Sequence, residues 1–510
     1  MSDAANLQQE NVQLKAQLAA QNALLKQRSQ RIQTLEELIK QFQRKQFAAS
    51  SEKLSKDQLP LRLFNEAEDA EATDTELPTD GQATEVSAHT RRKKPRVSIP
   101  EAYPREEILY ELPEAERACP HDGSALKAIG TEDHEQLDII PAQVKVIRHR
   151  RQKYVCPCCE QYHVTATKPK QPIEKSIASP GLLAYVATQK YCDALPLYRQ
   201  SEIFKRAGIE LDRTNLANWM VRSGQLVQPL INLLQDRLLT QPIVHLDETT
   251  VQVLNEPGRA AQRQSYMWVM GHFGTQPAVL FHYAPTRAQT VPLDLLTDGV
   301  NAIMVDGYEG YGRACTEYGI TRLGCWAHAR RKLVDAQKLQ KKGKVGKADQ
   351  GLAFIQKLYA IETKIKTEPP DKRHIIRQQQ AKPIIDKLRQ WLEKSLPSVP
   401  PQSAIGKALY YLHNQWDRLV RYLDDGIYPI DNNRAENAIR PFTVGRKNWL
   451  FANSQAGAKA SANLFSVIET AKANGLNPYE YLKLVFKELP NAQSVEDVEK
   501  LLPWNPTVKT

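Results

Sequence analysis

The chain has 510 residues, 41% of them apolar, enough to bury several cores, and at roughly 150 residues per domain three or four units are expected. Lys and Arg outnumber Asp and Glu by 69 to 58, a net charge of +11 that suits a polyanionic partner such as nucleic acid. No run reaches the roughly 18 apolar residues of a membrane helix, the polar start has no signal-peptide core, and an odd count of seven cysteines argues against a disulfide framework, so a cytoplasmic, nucleoid-associated protein with no membrane partner is expected.

Residues 1–47 read as a coiled coil. Leu18, Leu25, Ile32 and Ile39 form one apolar series, and Leu7, Leu14, Leu35 and Phe42 interleave with it in alternating steps of four and three. Such a seam points to a homo-oligomer; the alternative is one amphipathic helix packed on its own protein. Residues 48–108 read as a linker. Its 65–86 stretch is acidic and too poor in large apolar groups to offset chain entropy. The charge then flips at Arg91, Arg92, Lys93, Lys94 and Arg96, which suits contact with DNA phosphate, contact with the acidic linker itself, or a solvated tether.

A small β module at 109–165 carries a candidate structural zinc site. Cys156 and Cys159 form a C-x-x-C knuckle and Cys119 supplies a third thiolate, as a tetrahedral zinc requires. The fourth ligand stays open: Asp122 has the spacing, His121 is the better ligand type, and Cys158 is a further alternative. Lys145, Arg148, His149, Arg150, Arg151 and Lys153 make the module strongly basic. Residues 166–238 read as helical, with Gly208 as a stop and Asp212 as a cap. They fit either a helix-turn-helix presenting Arg213, Asn215 and Asn218 to DNA or an ordinary bundle.

From residue 241 the pattern turns to strands: a three-strand meander, then strand, helix and strand, which fits an α/β layer fold. Asp247 and Asp306 end two of the buried runs. A buried acid there is costly unless neutralised, and a hard divalent cation does so. Phosphodiester chemistry commonly uses two such ions, and a third carboxylate is then expected. Glu436 is the candidate, with Arg440, Arg446 and Lys447 following it. Its spacing from Asn433 also fits a capping box, in which the glutamate merely satisfies a backbone N–H; spacing alone admits both. His245 reads as a satisfied core histidine, and Glu248, Glu309 and Asp431 are rival acids.

HLDETT, VDGYEGY, GCWAHARRKL, and above all YPIDNNRAENAIRPFTVGRKNWLF with NSQAGAKASANLFSVIETAKANGLNP, resemble the transposases of the insertion-sequence sixty-six (IS sixty-six) family. The resemblance also takes in FAASSEKL and the cysteine module. It implies a ribonuclease-H-like catalytic core at 239–335 and 429–452, split by a helical insertion at 336–428 and followed by a C-terminal helical element at 453–510. It implies a triad of Asp247, Asp306 and Glu436 holding two Mg²⁺ or Mn²⁺ ions, beside structural zinc. The implied reaction is strand cleavage and transfer at the ends of a mobile DNA element, with small accessory proteins as partners; Arg330, Arg331, Arg440, Arg446 and Lys447 are the candidate phosphate contacts, an exposed basic face being the alternative for the last three. No GxxxxGK[ST] loop occurs, in keeping with transesterification that needs no ATP. A nuclease or resolvase of the same fold and a non-catalytic DNA-binding derivative are the rival readings.

Overall fold

The computed structural model describes residues 143–505 apart from 159–160 and 341–344, together with position 508 and scattered residues before 143. Two compact units divide at Ala48/Ala49 and Ile147/Arg148. Within Ala49–Ile147 every described residue is exposed and outside helix or strand. Cys119, Asp122 and Cys159 lie outside the described residues, as does the linker across 48–104; His121 is exposed in a turn. Described positions between 14 and 36 are helical. Leu14, Leu18, Leu25 and Ile32 of the apolar seam are each more than half exposed.

Strands β1 (Lys153–Val155) and β2 (His163–Thr165) form an antiparallel hairpin, and Cys156 opens its turn by donating its N–H to the Tyr162 carbonyl at 3.0 Å. Four helices follow: α1 (Pro180–Tyr191), α2 (Leu197–Arg206), α3 (Arg213–Leu226) and α4 (Gln228–Leu239). Ser179 caps α1 and Asp212 caps α3 through their side chains. Helix α3 buries Leu216, Trp219 and Met220 and leaves Arg213, Asn215 and Asn218 exposed.

The central sheet comprises β3 (Ile243–Asn255), β4 (Gln264–His272), β5 (Ala278–Ala284), β6 (Ala302–Val305), β7 (Thr321–Gly324) and β8 (Ala452–Ser454). Its order is β5-β4-β3-β6-β7, with β8 on the far half of β3. The first three strands are an antiparallel meander, and β6 and β7 continue in parallel. Every residue of β6 is buried, as expected of a strand covered on both faces. Short helices α5 (Thr290–Leu295) and α6 (Gly312–Glu317) make the crossovers into β6 and β7.

After β7 comes α7 (Trp326–Gln337), then α8 (Lys347–Lys364), α9 (Pro370–Ile376), a π-helical turn at Arg377–Ala381, α10 (Lys382–Ser395), α11 (Ala404–Asn414) and α12 (Trp416–Val420). These helices pack around their own apolar core, from Trp326 to Ile430. The chain returns through α13 (Asn433–Trp449), then β8, α14 (Gln455–Ala473), α15 (Pro478–Glu488) and α16 (Val495–Glu499). The larger core joins α1–α4, the meander, α13, α14 and α15, so the helices before and after the sheet share one interior with it. Among the described residues no helix is long and apolar enough to cross a membrane.

Candidate active site

Strand β3 has β4 along one edge, but two short strands share the other. β6 pairs only with Ile243–His245, and β8 pairs with Val253 and Asn255. Asp247 falls in the gap between them. The parallel register sets Ile243 against Ala302 and His245 against Met304; two further steps bring Asp306, the residue after β6, level with Asp247. Two acids from strands 59 positions apart therefore meet where the sheet edge opens.

Backbone donors orient both. Asp247 Oδ1 accepts the Glu248 N–H at 2.9 Å, and Asp306 Oδ1 accepts the Tyr308 N–H at 2.8 Å. The buried Arg322 holds the loop after β6 by donating to the Asp306 carbonyl at 3.1 Å and the Tyr308 carbonyl at 2.6 Å.

The third acid arrives on the first turn of α13. Asn432, fully buried, docks that helix start into the gap: its side-chain N–H reaches the Leu246 carbonyl at 2.8 Å, and its Oδ1 lies 3.0 Å from His245 Nδ1. Its backbone N–H donates to Cys325 Sγ at 3.2 Å, tying α13 to the start of α7. Glu436, one turn on, meets residues of α7: Arg331 Nη2 at 2.7 Å from Oε2, and His328 Nδ1 at 3.5 Å from Oε1.

The capping box that Asn433 and Glu436 suggest does not form. Asn433 Nδ2 donates to Asp431 at 2.8 Å, and the Glu436 carboxylate faces Arg331 and His328. The rival acids have protein partners: Asp431 accepts from Tyr359 Oη at 2.8 Å, Glu309 from Arg418 at 2.7 Å, and Glu248 from Arg287 and Tyr311. His245 is a satisfied core histidine, its pKa pulled down by burial to about 4 and its ring packed edge-on to Phe273.

Electrostatics bring the acids together independently of the hydrogen bonds. The Asp247 carboxyl is pushed up to about 8, first by burial, then by the charges of Glu248, Glu436 and Asp306. Burial also raises Glu248, with Asp306 adding to it against the opposing effects of Tyr311 and Arg287. Burial lifts the Cys325 thiol to about 12, so its sulfur serves as a neutral acceptor. Mutually repelling, half-buried carboxylates of this kind fit a divalent cation with oxygen ligands, and Asp247, Asp306 and Glu436 are the residues that would hold it.

The five basic candidates separate. Arg331 pairs with Glu436, and half-buried Arg330 precedes it on α7. Arg440 is half-buried one turn beyond Glu436, and Lys447 is exposed near the far end of α13. Arg446 turns inward, donating to the Thr249 and Thr250 hydroxyls, both at 3.1 Å, and to the Thr250 carbonyl. Sequence reasoning took Asn432 only as part of a turn and helix cap with Asp431 and Asn433, the N-cap position it does occupy, and did not single out Cys325 or His328; the Cys325-x-x-His328 spacing opening a helix is the one local signal for those two.

The family described as Transposase IS66 family matches residues 175–460, which takes in the whole sheet and all three acids. The chain belongs to the IS66 transposase family. The zinc-finger binding domain of transposase IS66 matches residues 116–160, so the IS66 chain includes a zinc-finger module spanning Cys119, His121, Asp122, Cys156 and Cys159. The IS66 C-terminal element matches 466–504, and a model described as Transposase C of IS166 homeodomain matches 34–108. Among relatives of this IS66 chain, the uncharacterized protein y4qI of Sinorhizobium fredii is 30% identical over 503 residues, covering 96% of the chain and 92% of the relative. The uncharacterized protein y4jD of the same organism is 32% identical over 420 residues, covering 80% and 81%.

Proposed function

We propose that this chain is a DNA transposase that cleaves the ends of its mobile element and joins them to target DNA at Asp247, Asp306 and Glu436. The observation that carries this reading is the register that sets Asp306 level with half-buried Asp247 in the gap along β3, where burial and the charges of Glu248, Glu436 and Asp306 push the Asp247 carboxyl up to about 8, a crowding that a divalent cation relieves. The antiparallel meander continued by two parallel strands supports a ribonuclease-H-like core.

Two Mg²⁺ or Mn²⁺ ions would supply activation of the attacking oxygen and stabilisation of the leaving one. Asp247 and Asp306 hold the rigid side of the centre, since both stand at strand positions fixed by register and by backbone N–H donors. Glu436 closes it from α13, where Asn432 fixes the helix start. Water attacks the phosphorus at the element end, the P–O3′ bond breaks, and a 3′-hydroxyl is freed. That hydroxyl then attacks a target phosphodiester in line, so one P–O bond replaces another and no nucleotide is consumed. Arg330, Arg331, Arg440 and Lys447 are assigned to DNA phosphates. The exposed Leu14–Ile32 stripe supports self-association through the N-terminal helices, and accessory proteins of the element are further partners.

The test is a strand-transfer assay with labelled element-end DNA, target plasmid and Mg²⁺, Mn²⁺ or EDTA. Joined products that need metal and vanish in folded Asp306→Asn and Glu436→Gln support the proposal. Cleavage without joining points to a nuclease. DNA binding without either reaction, with accessory proteins added, points to a non-catalytic derivative.

A further inference from the structure

We propose that His328 is a further ligand of the metal centre, binding the same ion as Glu436 and giving that position a preference for a divalent transition ion over Mg²⁺. The inference rests on the carboxylate–metal reading above and adds a nitrogen to it.

Two helix starts converge to make the position. Helix α7 begins directly after β7, and its first turn carries His328; the first turn of α13 carries Glu436. Two bonds lock these turns together: the Asn432 N–H to Cys325 Sγ at 3.2 Å and the Trp326 N–H to the Ile430 carbonyl at 3.2 Å. Ligand-capable atoms of Cys325, His328 and Glu436 consequently lie within 4.8 Å of one another. Cys325 already accepts a backbone N–H, which makes it the positioning group of the three.

The decisive detail is a pair of orphaned atoms. His328 Nδ1 and Glu436 Oε1 are both buried, neither has a hydrogen-bond partner, and they face each other at 3.5 Å. Leaving either unsatisfied is costly, because a buried polar atom has lost its water partners. Two ligand atoms each about 2.1 Å from one ion lie roughly 3.0–3.5 Å apart, so a single cation satisfies both. Arg331 meanwhile engages the other carboxylate oxygen, Oε2, leaving Oε1 directed at the imidazole. Mg²⁺ prefers all-oxygen surroundings, whereas transition ions accept imidazole as well as carboxylate.

The experiment uses the full chain with its zinc module saturated and Mn²⁺ alone as probe. Free Mn²⁺ is followed by electron paramagnetic resonance, and the bound ion by the nitrogen modulation of its spin echo. A directly bound imidazole nitrogen is expected in the wild type. It should disappear in His328→Asn, with Mn²⁺ affinity falling at least about tenfold and Mg²⁺ affinity changing far less. Mn²⁺ that binds and is lost in Asp306→Asn, but shows no nitrogen modulation or keeps it in His328→Asn, overturns the role of His328 and leaves the carboxylate centre standing. No Mn²⁺ binding at all overturns both readings. Should His328→Asn fail to fold, His328→Gln makes the same comparison, and a wild-type spectrum without nitrogen modulation overturns the role of His328 by itself.

Discussion

Asn432 donates its side-chain N–H to the Leu246 carbonyl at 2.8 Å, one residue before Asp247 on β3. The same carboxamide accepts at His245, so one buried side chain sets the distance between the strand that carries the first acid and the helix that carries the third. Asn432→Ala would leave the Leu246 carbonyl and the His245 ring without these partners, a loss of about 1–3 kcal/mol. Strand transfer is expected to fall much further than stability does, because Glu436 would no longer be held opposite Asp247. Urea unfolding and the joining assay, run on the same preparation, check this; a stable variant with full activity would refute the docking role.

Asp247 and Asp306 were legible because each ends an apolar run, and a costly buried acid stands out against such a background. Glu436 was not legible from spacing, since Asn433-x-x-Glu436 spells a capping box. What sets the capping box aside is Asp431, which takes the Asn433 side chain, and α7, which supplies Arg331 about a hundred positions earlier. The Asp431-Asn432-Asn433 run marked a helix cap, but the docking of Asn432 onto β3 and the place of His328 were hidden for the same reason: their partners are distant in sequence, and no local pattern encodes them. The meander was readable from the strand pattern, whereas the helical insertion was expected from the family resemblance. That α1–α4 and α14 share one core with the sheet was not, because periodicity says which face is apolar and not what covers it.

Arg446 and Lys447 are adjacent in sequence and opposite in role. Arg446 binds the Thr249 and Thr250 hydroxyls and the Thr250 carbonyl, fastening α13 along β3, while Lys447 is exposed. Arg446→Ala is expected to cost about 1.5–3 kcal/mol of stability, as for hydrogen bonds from a charged donor. Lys447→Ala should cost less stability than Arg446→Ala and should shallow the salt dependence of DNA affinity by about one unit. Denaturation and binding measured across a salt series separate the two. A shallower slope for Arg446→Ala without destabilisation would assign that side chain to phosphate instead.

The loop after Asp306 is tied to the helical insertion by Glu309 and Arg418. Hydrogen bonds from Arg418, with the Arg322 charge assisting, hold the Glu309 carboxyl down at about 2. A carboxyl lowered in the folded state contributes stability that is complete above its unfolded value of about 4.5 and is lost as pH falls through about 2. Glu309 is 69% exposed, so solvent screening keeps the contribution below about 1 kcal/mol. Wild type should therefore exceed Glu309→Gln slightly at pH 6, with the gap closing between pH 4.5 and 2. A gap that widens on acidification would reverse the sign and discard the pairing.

Gly224 marks where α3 crosses α14. A Cβ placed on it would meet the Ala460 Cα at 2.5 Å, its Cβ at 2.6 Å and its carbonyl oxygen at 3.0 Å. Asn463 seals the crossing by donating to the Gly224 carbonyl at 2.8 Å. Alanine is the better helix former by about 1 kcal/mol, so propensity alone would make Gly224→Ala stabilising. The contact is with backbone, which cannot rotate away, and overpacking of this kind costs about 1–3 kcal/mol. The steric term should win, and Gly224→Ala is expected to lower Tm. Ala460→Gly removes only one of the three clashing atoms, so the double variant should recover part of the loss, giving a non-additive cycle. A rise in Tm for Gly224→Ala alone would mean that α3 and α14 stand further apart in solution than this crossing requires.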